Sequence, residues 1–213
     1  MTILGTAQRS RTPTGMKVAA MSYKKLEVVA DGVRPLLPTV SGYGGGPWKI
    51  DALRVLEVTM QRSGLNYAVW EDDRLKDVAA FTIPEQSLVV IRQDVYDGLE
   101  REQVFSRSTV IHELSHIVLR HAVTLHRGAA VGAHQFYEDS EWQAKALTVA
   151  IMMPINACKA AHSAQELAEV CGTSVQAATY RLERLIKENV LDPQRYAGQL
   201  FSFPPSGPAP QGG

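Results

Sequence analysis

Cysteine is scarce in this chain: 213 residues contain two, Cys158 and Cys171. Two cysteines cannot build a disulfide framework, so a reduced, cytoplasmic setting is the simplest expectation. Long apolar runs are also missing. No stretch of about 18 apolar residues exists to span a membrane, and the N-terminal end lacks the run of about 7–15 apolar residues that a secretory signal needs. Excess charge of either sign is absent too. Lys and Arg number 22, as do Asp and Glu, which argues against bulk electrostatic attraction to nucleic acid or an anionic membrane but leaves room for a local basic patch. No internal repeat is visible.

What the chain does have is a regular middle. Residues 1–22 show no buriable pattern and are expected to form a flexible leader. Residues 193–213 are rich in Pro and Gly and read as a tail. Ser41-Gly-Tyr-Gly-Gly-Gly-Pro47 reads as a flexible joint. Tyr23–Arg34 can form a short helix. Ile50, Leu53, Leu56 and Met60 recur at helical spacing, with Gly64 placed to end that helix. Residues 65–70 read as a strand. Residues 78–83 and 88–91 flank Pro84-Glu-Gln-Ser87 as a β-hairpin. After Gly98 the periodicity is helical to about residue 190. The expected class is α+β: a small antiparallel sheet or hairpin packed on a helical domain.

The stretch with chemistry is Val110-Ile-His-Glu-Leu-Ser-His-Ile-Val-Leu119, an H-E-x-x-H pattern formed by His112, Glu113 and His116. Residues i and i+4 share a helix face, so both imidazoles can reach one ion. Glu113 lies about 100° around the helix, beside that ion, where it can take a proton from water. Val110, Ile111, Leu114, Ile117 and Val118 fall on the opposite side, so the histidines should face a cleft rather than the core. With six His in the chain, the pattern arises by accident roughly 0.01 times per chain of this composition. Zinc suits two imidazoles plus a carboxylate.

A catalytic zinc needs a third protein ligand and an open position. His121 is five residues after His116 and would sit on the far side of a continuing helix. His126 and His134 are open alternatives. A third histidine at H-E-x-x-H-x-x-G-x-x-H spacing is excluded, because Leu119 and Ala122 stand where that pattern needs Gly and His. The acids of Tyr137-Glu-Asp-Ser-Glu-Trp-Gln-Ala144 are better placed. They open a helix expected to run to Met153 and stop at Pro154. Glu141 and Glu138 share a side of it, and Ala144 would let two helices approach.

His112-Glu-Leu-Ser-His116, then Glu141-x-x-Ala144 and Ile151-Met-Met-Pro154, resemble the ImmA/IrrE-type metallopeptidases. The chain departs from that family's second motif at Lys145, Leu147 and Thr148. The resemblance covers about residues 23–190, with a zincin-like metallopeptidase domain expected over 23–160, and it places the third zinc ligand on Glu141. It also implies metal-assisted hydrolysis with Glu113 as general base, acting on a protein substrate that would be a DNA-binding transcriptional repressor in a stress-response or mobile-element circuit. His126, Arg127, His134 and Tyr137 are candidates for a group that steadies the oxyanion or donates a proton. The edge of the hairpin could bind an extended peptide or merely cover the zinc helix.

Residues 161–192 read as a helical extension with a helix-turn-helix outline. Ser163-Ala-Gln-Glu166 opens one helix, Cys171-Gly-Thr173 turns, and Ser174 caps a second. Arg181, Arg184 and Lys187 on that helix could meet DNA, but Glu183 and Glu188 interleave with them, so packing or substrate docking is the alternative use. A DNA-binding or antirepressor regulator is therefore the second expectation for the whole protein. Cys158 and Cys171 are expected to be small core residues.

Overall fold

The computed structural model describes residues 13–40, 47–75, 78–121 and 134–196. The expected joint at 41–46, residues 1–12 of the leader, residues 197–213 of the tail, and His126 and Arg127 lie outside the described residues.

The fold is mostly helical, with a small mixed sheet. Helix α1 (Tyr23–Val33) starts where the Ser22 hydroxyl accepts from the Lys25 amide. Helix α2 (Ala52–Arg54) is capped by Asp51 and continues as a wider π-helical stretch, Val55–Met60. Gly64 follows at φ +82°, a conformation that a side chain resists. Strands β1 (Asn66–Trp70), β2 (Ala80–Ile83) and β3 (Leu88–Arg92) come next, then helix α3 (Gln93–Glu100). Helix α4 (Val104–Val118) carries the H-E-x-x-H residues. Helix α5 (Ser140–Met152) is capped by Asp139 and ends before Pro154. Helices α6 (Ile155–Ala160), α7 (Ala164–Cys171) and α8 (Val175–Lys187) follow, and then a 3-10 turn at Pro193–Tyr196.

The α+β expectation holds, with one correction to the sheet. β2 and β3 form the expected antiparallel hairpin, Ala80 opposite Ile91 and Ile83 opposite Leu88. β1, however, pairs parallel to β3, giving the order β1-β3-β2 and a mixed sheet. β1 ends and β2 begins at the same end of the sheet, Trp70 opposite Arg92 and Ala80 opposite Ile91, so β2 runs back and the hairpin then places β3 between β1 and β2, parallel to β1. A helix also starts earlier than the periodicity suggested: Gly98 lies inside α3, where an added Cβ would collide with the Ser106 hydroxyl.

Two ends of the chain are more ordered than their composition suggests. The segment before α1 forms a strap across the start of α5. The Gly15 amide donates to Asp139 Oδ2 (2.7 Å) and the Val18 amide to the Glu138 carbonyl (2.7 Å). The Met21 amide donates to the Tyr137 carbonyl at 3.0 Å. On the strap side these bonds use main-chain groups, so its own residues leave no side-chain pattern to read. At the other end, buried Tyr196 donates its hydroxyl to the Cys158 carbonyl at 2.6 Å.

One apolar core lies between α1, α2, the sheet, α4 and α5, and a second is built by α6, α7 and α8 around Met153, Leu167, Leu182 and Leu185. Cys158 and Cys171 are free and buried in the second, where burial pushes the Cys171 thiol up to about 12. Arginines tie the parts together. Arg107 on α4 donates to the carbonyls of Ile50, Cys171 and Gly172. Gly172, at φ +63°, must be glycine: a Cβ there would run into the Arg107 guanidinium. Arg181 on α8 is 1% exposed, donates to the Met153 carbonyl, and pairs through two nitrogens with Glu27 on α1. Burial alone would lower the Arg181 pKa, but Glu27 outweighs it and the net shift is upward.

Breaking such a pair strands a buried charge, which costs about 3–5 kcal/mol. Glu27→Ala should therefore lower Tm by roughly 10 °C in thermal denaturation. A variant within about 2 °C of wild type would show that the pair contributes little.

Candidate metal centre

On α4, Val110, Ile111 and Leu114 are buried in the main core, which turns His112 and His116 towards α5. Two features let α5 come close. Ala144 is fully buried with no side chain to hold the helices apart. The Ser115 and Thr148 hydroxyls meet at 3.1 Å across the contact, so one of them donates to the other, which donates back to its own helix carbonyl. Thr148, which looked like a departure in a packing position, is thus a polar lock on the register of the two helices.

That register brings Glu141, in the first turn of α5, onto the two imidazoles. His112 Nε2 is 3.3 Å from Glu141 Oε2, and His116 Nε2 is 3.1 Å from Glu141 Oε1. The two Nε2 atoms are 3.1 Å apart. His112, the largest contributor, holds the Glu141 carboxyl below the usual carboxylate range. His112, His116 and Glu141 form the group of ligand-type side chains that could hold a metal among the described residues. The spacing fits zinc. A tetrahedral ion with ligands at about 2.0 Å has edges of about 3.3 Å, close to all three separations, and two imidazoles plus one carboxylate is a catalytic zinc donor set. The fourth direction is left to the cleft.

The cleft has a volume of ≈ 590 Å³ and runs between β2, α4 and the first turns of α5. Glu113 lines it and is 7% exposed. Its Oε2 accepts from the Thr82 hydroxyl at 2.9 Å, so strand β2 orients this carboxylate. Phe81 and Val149 form apolar wall, and Lys145 is the one Lys or Arg among the lining residues.

The other sequence candidates fall elsewhere. Glu138 accepts from the Gln135 amide and pairs with Lys17, away from the imidazoles. His134 is tied to Asp139 Oδ2 at 3.1 Å, and Tyr137 is exposed; neither lines the cleft. His126 lies outside the described residues. His121 is not on the far side of the helix, as a continuing α4 would put it. The helix ends at Val118, Arg120 turns the chain at φ +55°, and His121 comes back beneath His116, Nδ1 to Nδ1 at 3.0 Å. Burial lowers the His121 pKa to about 4. No glycine or proline announces that turn, so His121 had no signal beyond its distance in the chain.

The site thus joins the two histidines of an H-E-x-x-H stretch on one helix to a glutamate from the returning helix. Residues 103–183 match the family model Peptidase_M78, the IrrE N-terminal-like domain. That match agrees with the resemblance read from His112, Glu113, His116 and Glu141. Among solved structures, a Mycobacterium tuberculosis transcriptional regulator is similar with a TM-score of 0.52 and 12% sequence identity, over 75% of this chain and 46% of that chain. The chain therefore spans less than half of that regulator's length, and the likeness is one of fold. No curated protein matches the chain.

If the trio holds an ion, chelator-treated protein should take up one zinc per chain, measured by elemental analysis after gel filtration. His112→Ala and Glu141→Ala should each lose it, beyond the roughly 10–100-fold weakening that an outer partner costs. Glu138→Gln should retain it. Zinc kept by Glu141→Ala but lost from Glu138→Gln would reverse the assignment.

Proposed function

We propose that the protein is a cytoplasmic zinc-dependent endopeptidase in which His112, His116 and Glu141 hold the metal and Glu113 is the general base. The observation that carries this reading is the meeting of three ligand atoms at tetrahedral spacing beside a carboxylate already oriented by Thr82. Zinc, when bound, supplies Lewis acidity and brings the pKa of water from 15.7 down to about 7.

The chain's own groups account for the remaining steps. Thr82 occupies one oxygen of Glu113, which leaves the other for the proton of the attacking water. Glu113 takes that proton as the water oxygen adds to the scissile carbonyl carbon. It returns the proton to the departing amine as the C–N bond breaks. Strand β2 is an outer strand of the sheet and lines the cleft. The Arg92 amide donates to the Ala79 carbonyl, so by antiparallel alternation Phe81 and Ile83 face β3, while Ala80 and Thr82 direct their main-chain groups outward. A peptide could extend the sheet there.

By family resemblance, the substrate would be a DNA-binding transcriptional repressor, cut to release a stress-response or mobile-element operon. The structure gives little support to a direct DNA reader. Arg181 is buried against Glu27, and Arg184 pairs with Glu27 and stacks on Tyr23, which leaves Lys187 as the exposed cation of the three. Among the described residues no helix is long and apolar enough to cross a membrane.

The test is cleavage of a repressor encoded next to this gene by the zinc-loaded protein. Glu113→Gln should keep zinc and lower kcat/KM by about 10²–10⁴-fold. A Glu113→Gln variant that cuts at the wild-type rate would remove Glu113 from the mechanism. Full derepression in cells by that variant would instead favour a regulator acting by binding alone.

A further inference from the structure

Beyond the three ligands lies a buried chain of side chains with one consistent assignment of hydrogens. It starts at main-chain carbonyls. The Gln143 side-chain nitrogen is 2.8 Å from the Ala19 carbonyl and 2.8 Å from the Tyr137 carbonyl. Both partners are acceptors, so this atom must be the amide nitrogen, and both its hydrogens are used. The other end of the amide is then an oxygen, and it lies 3.1 Å from His121 Nε2. That ring nitrogen must carry a proton to make the bond. A neutral His121 therefore presents a bare lone pair at Nδ1, which lies 3.0 Å from His116 Nδ1. Two Nδ1 atoms bond only if one is protonated, so His116 donates. His116 Nε2 is left as a lone pair, and it is the atom that faces His112 and Glu141.

Each step fixes the next, from two carbonyls inward to one ligand atom. Gln143 and His121 are 1% and 2% exposed, so water does not offer alternative partners. The outer anchor, Ala19, belongs to the N-terminal strap. The same strap meets the third ligand: a Cβ on Gly15 would lie 2.7 Å from the Glu141 amide nitrogen and 2.9 Å from Glu141 Cγ.

We propose that His121 and Gln143 are positioning residues that hold His116 in the Nδ1–H form with its Nε2 lone pair aimed at the metal, and that the Ala19 carbonyl of the strap is part of this device. The proposal rests on the metal reading above, and its test separates the two. In long-range ¹H–¹⁵N spectra of histidine-labelled wild-type protein, His121 should be the Nε2–H tautomer and His116 the Nδ1–H tautomer, with the zinc-loaded form showing the same pattern. His121 found as the Nδ1–H tautomer would overturn the proposal, whether or not zinc binds. Chelator competition adds an affinity readout. His121→Phe, which keeps the ring and loses both bonds, should weaken zinc about 10–100-fold. His121→Gln, which supplies an acceptor and a donor, should recover most of that loss. Unchanged affinity in a folded His121→Phe variant would also overturn the proposal. Wild-type protein that shows the expected tautomers but takes no zinc would defeat the metal reading alone.

Discussion

The approach of α4 and α5 is the constraint on which the centre depends. A ligand set split between two helices tolerates little sliding, because one residue of slip along an α-helix moves a side chain about 1.5 Å and rotates it about 100°. The register is held from both ends of the contact. Ala144 removes the steric barrier, and the Ser115–Thr148 hydroxyl pair sets the offset deeper in the interface. Helix polarity adds to it. Glu141 sits in the first turn of α5, where the helix dipole favours a carboxylate, and His116 sits in the last turn of α4, where it favours positive charge. A cation between them meets complementary ends of two helices.

The rest of the protein keeps this contact in place, and it does so largely with arginine. Arg34 reaches the Ile151 and Trp48 carbonyls, Arg107 the carbonyls at the end of α7, and Arg181 the Met153 carbonyl. Most of these acceptors lie at helix ends, where carbonyls lack intrahelical partners. A guanidinium with five donors can satisfy several at once. Burial is expensive for such groups and lowers the pKa values of Arg34 and Arg107. Arg181 has the half-buried carboxylate of Glu27 as a partner as well, which reverses the direction for that residue. Arg181 and Arg184, two of the three basic residues of α8 that suggested a nucleic-acid surface, are thus joints between α8 and α1.

How legible these features were depended on their range in the chain. His112, Glu113 and His116 could be read because one helix turn fixes their relation. Glu141 needed a family pattern, since nothing local says which acid of 137–144 faces the other helix. The hairpin was visible from its turn, whereas the parallel pairing of β1 depended on a connection with no periodicity. The strap and His121 were invisible for a related reason. Main-chain bonds carry no residue signature, and a positive φ at Arg120 is allowed but not announced. The charge pattern of Arg181 and Arg184 was equally uninformative, because an arginine that faces Glu27 and one that faces solvent look alike in sequence.

Thr82 joins two sides of the centre that could have been separate. In a strand, side chains stand roughly perpendicular to the sheet while main-chain groups lie in its plane. Thr82 uses both directions: its hydroxyl donates to Glu113 on α4, and its amide and carbonyl belong to the outward-facing set on the edge of β2 that has no strand partner among the described residues. A chain laid along that edge, as proposed for the substrate, would bond to the strand that orients the general base. Docking and proton transfer would then share one rigid element, so strand pairing would place the scissile bond and the carboxylate relative to each other without a separate hinge. The same arrangement explains why a short strand suffices. Pairing at Ala80 and Thr82 aligns a peptide over a few residues, and the helical core behind α4 supplies the rigidity that a three-stranded sheet alone would lack.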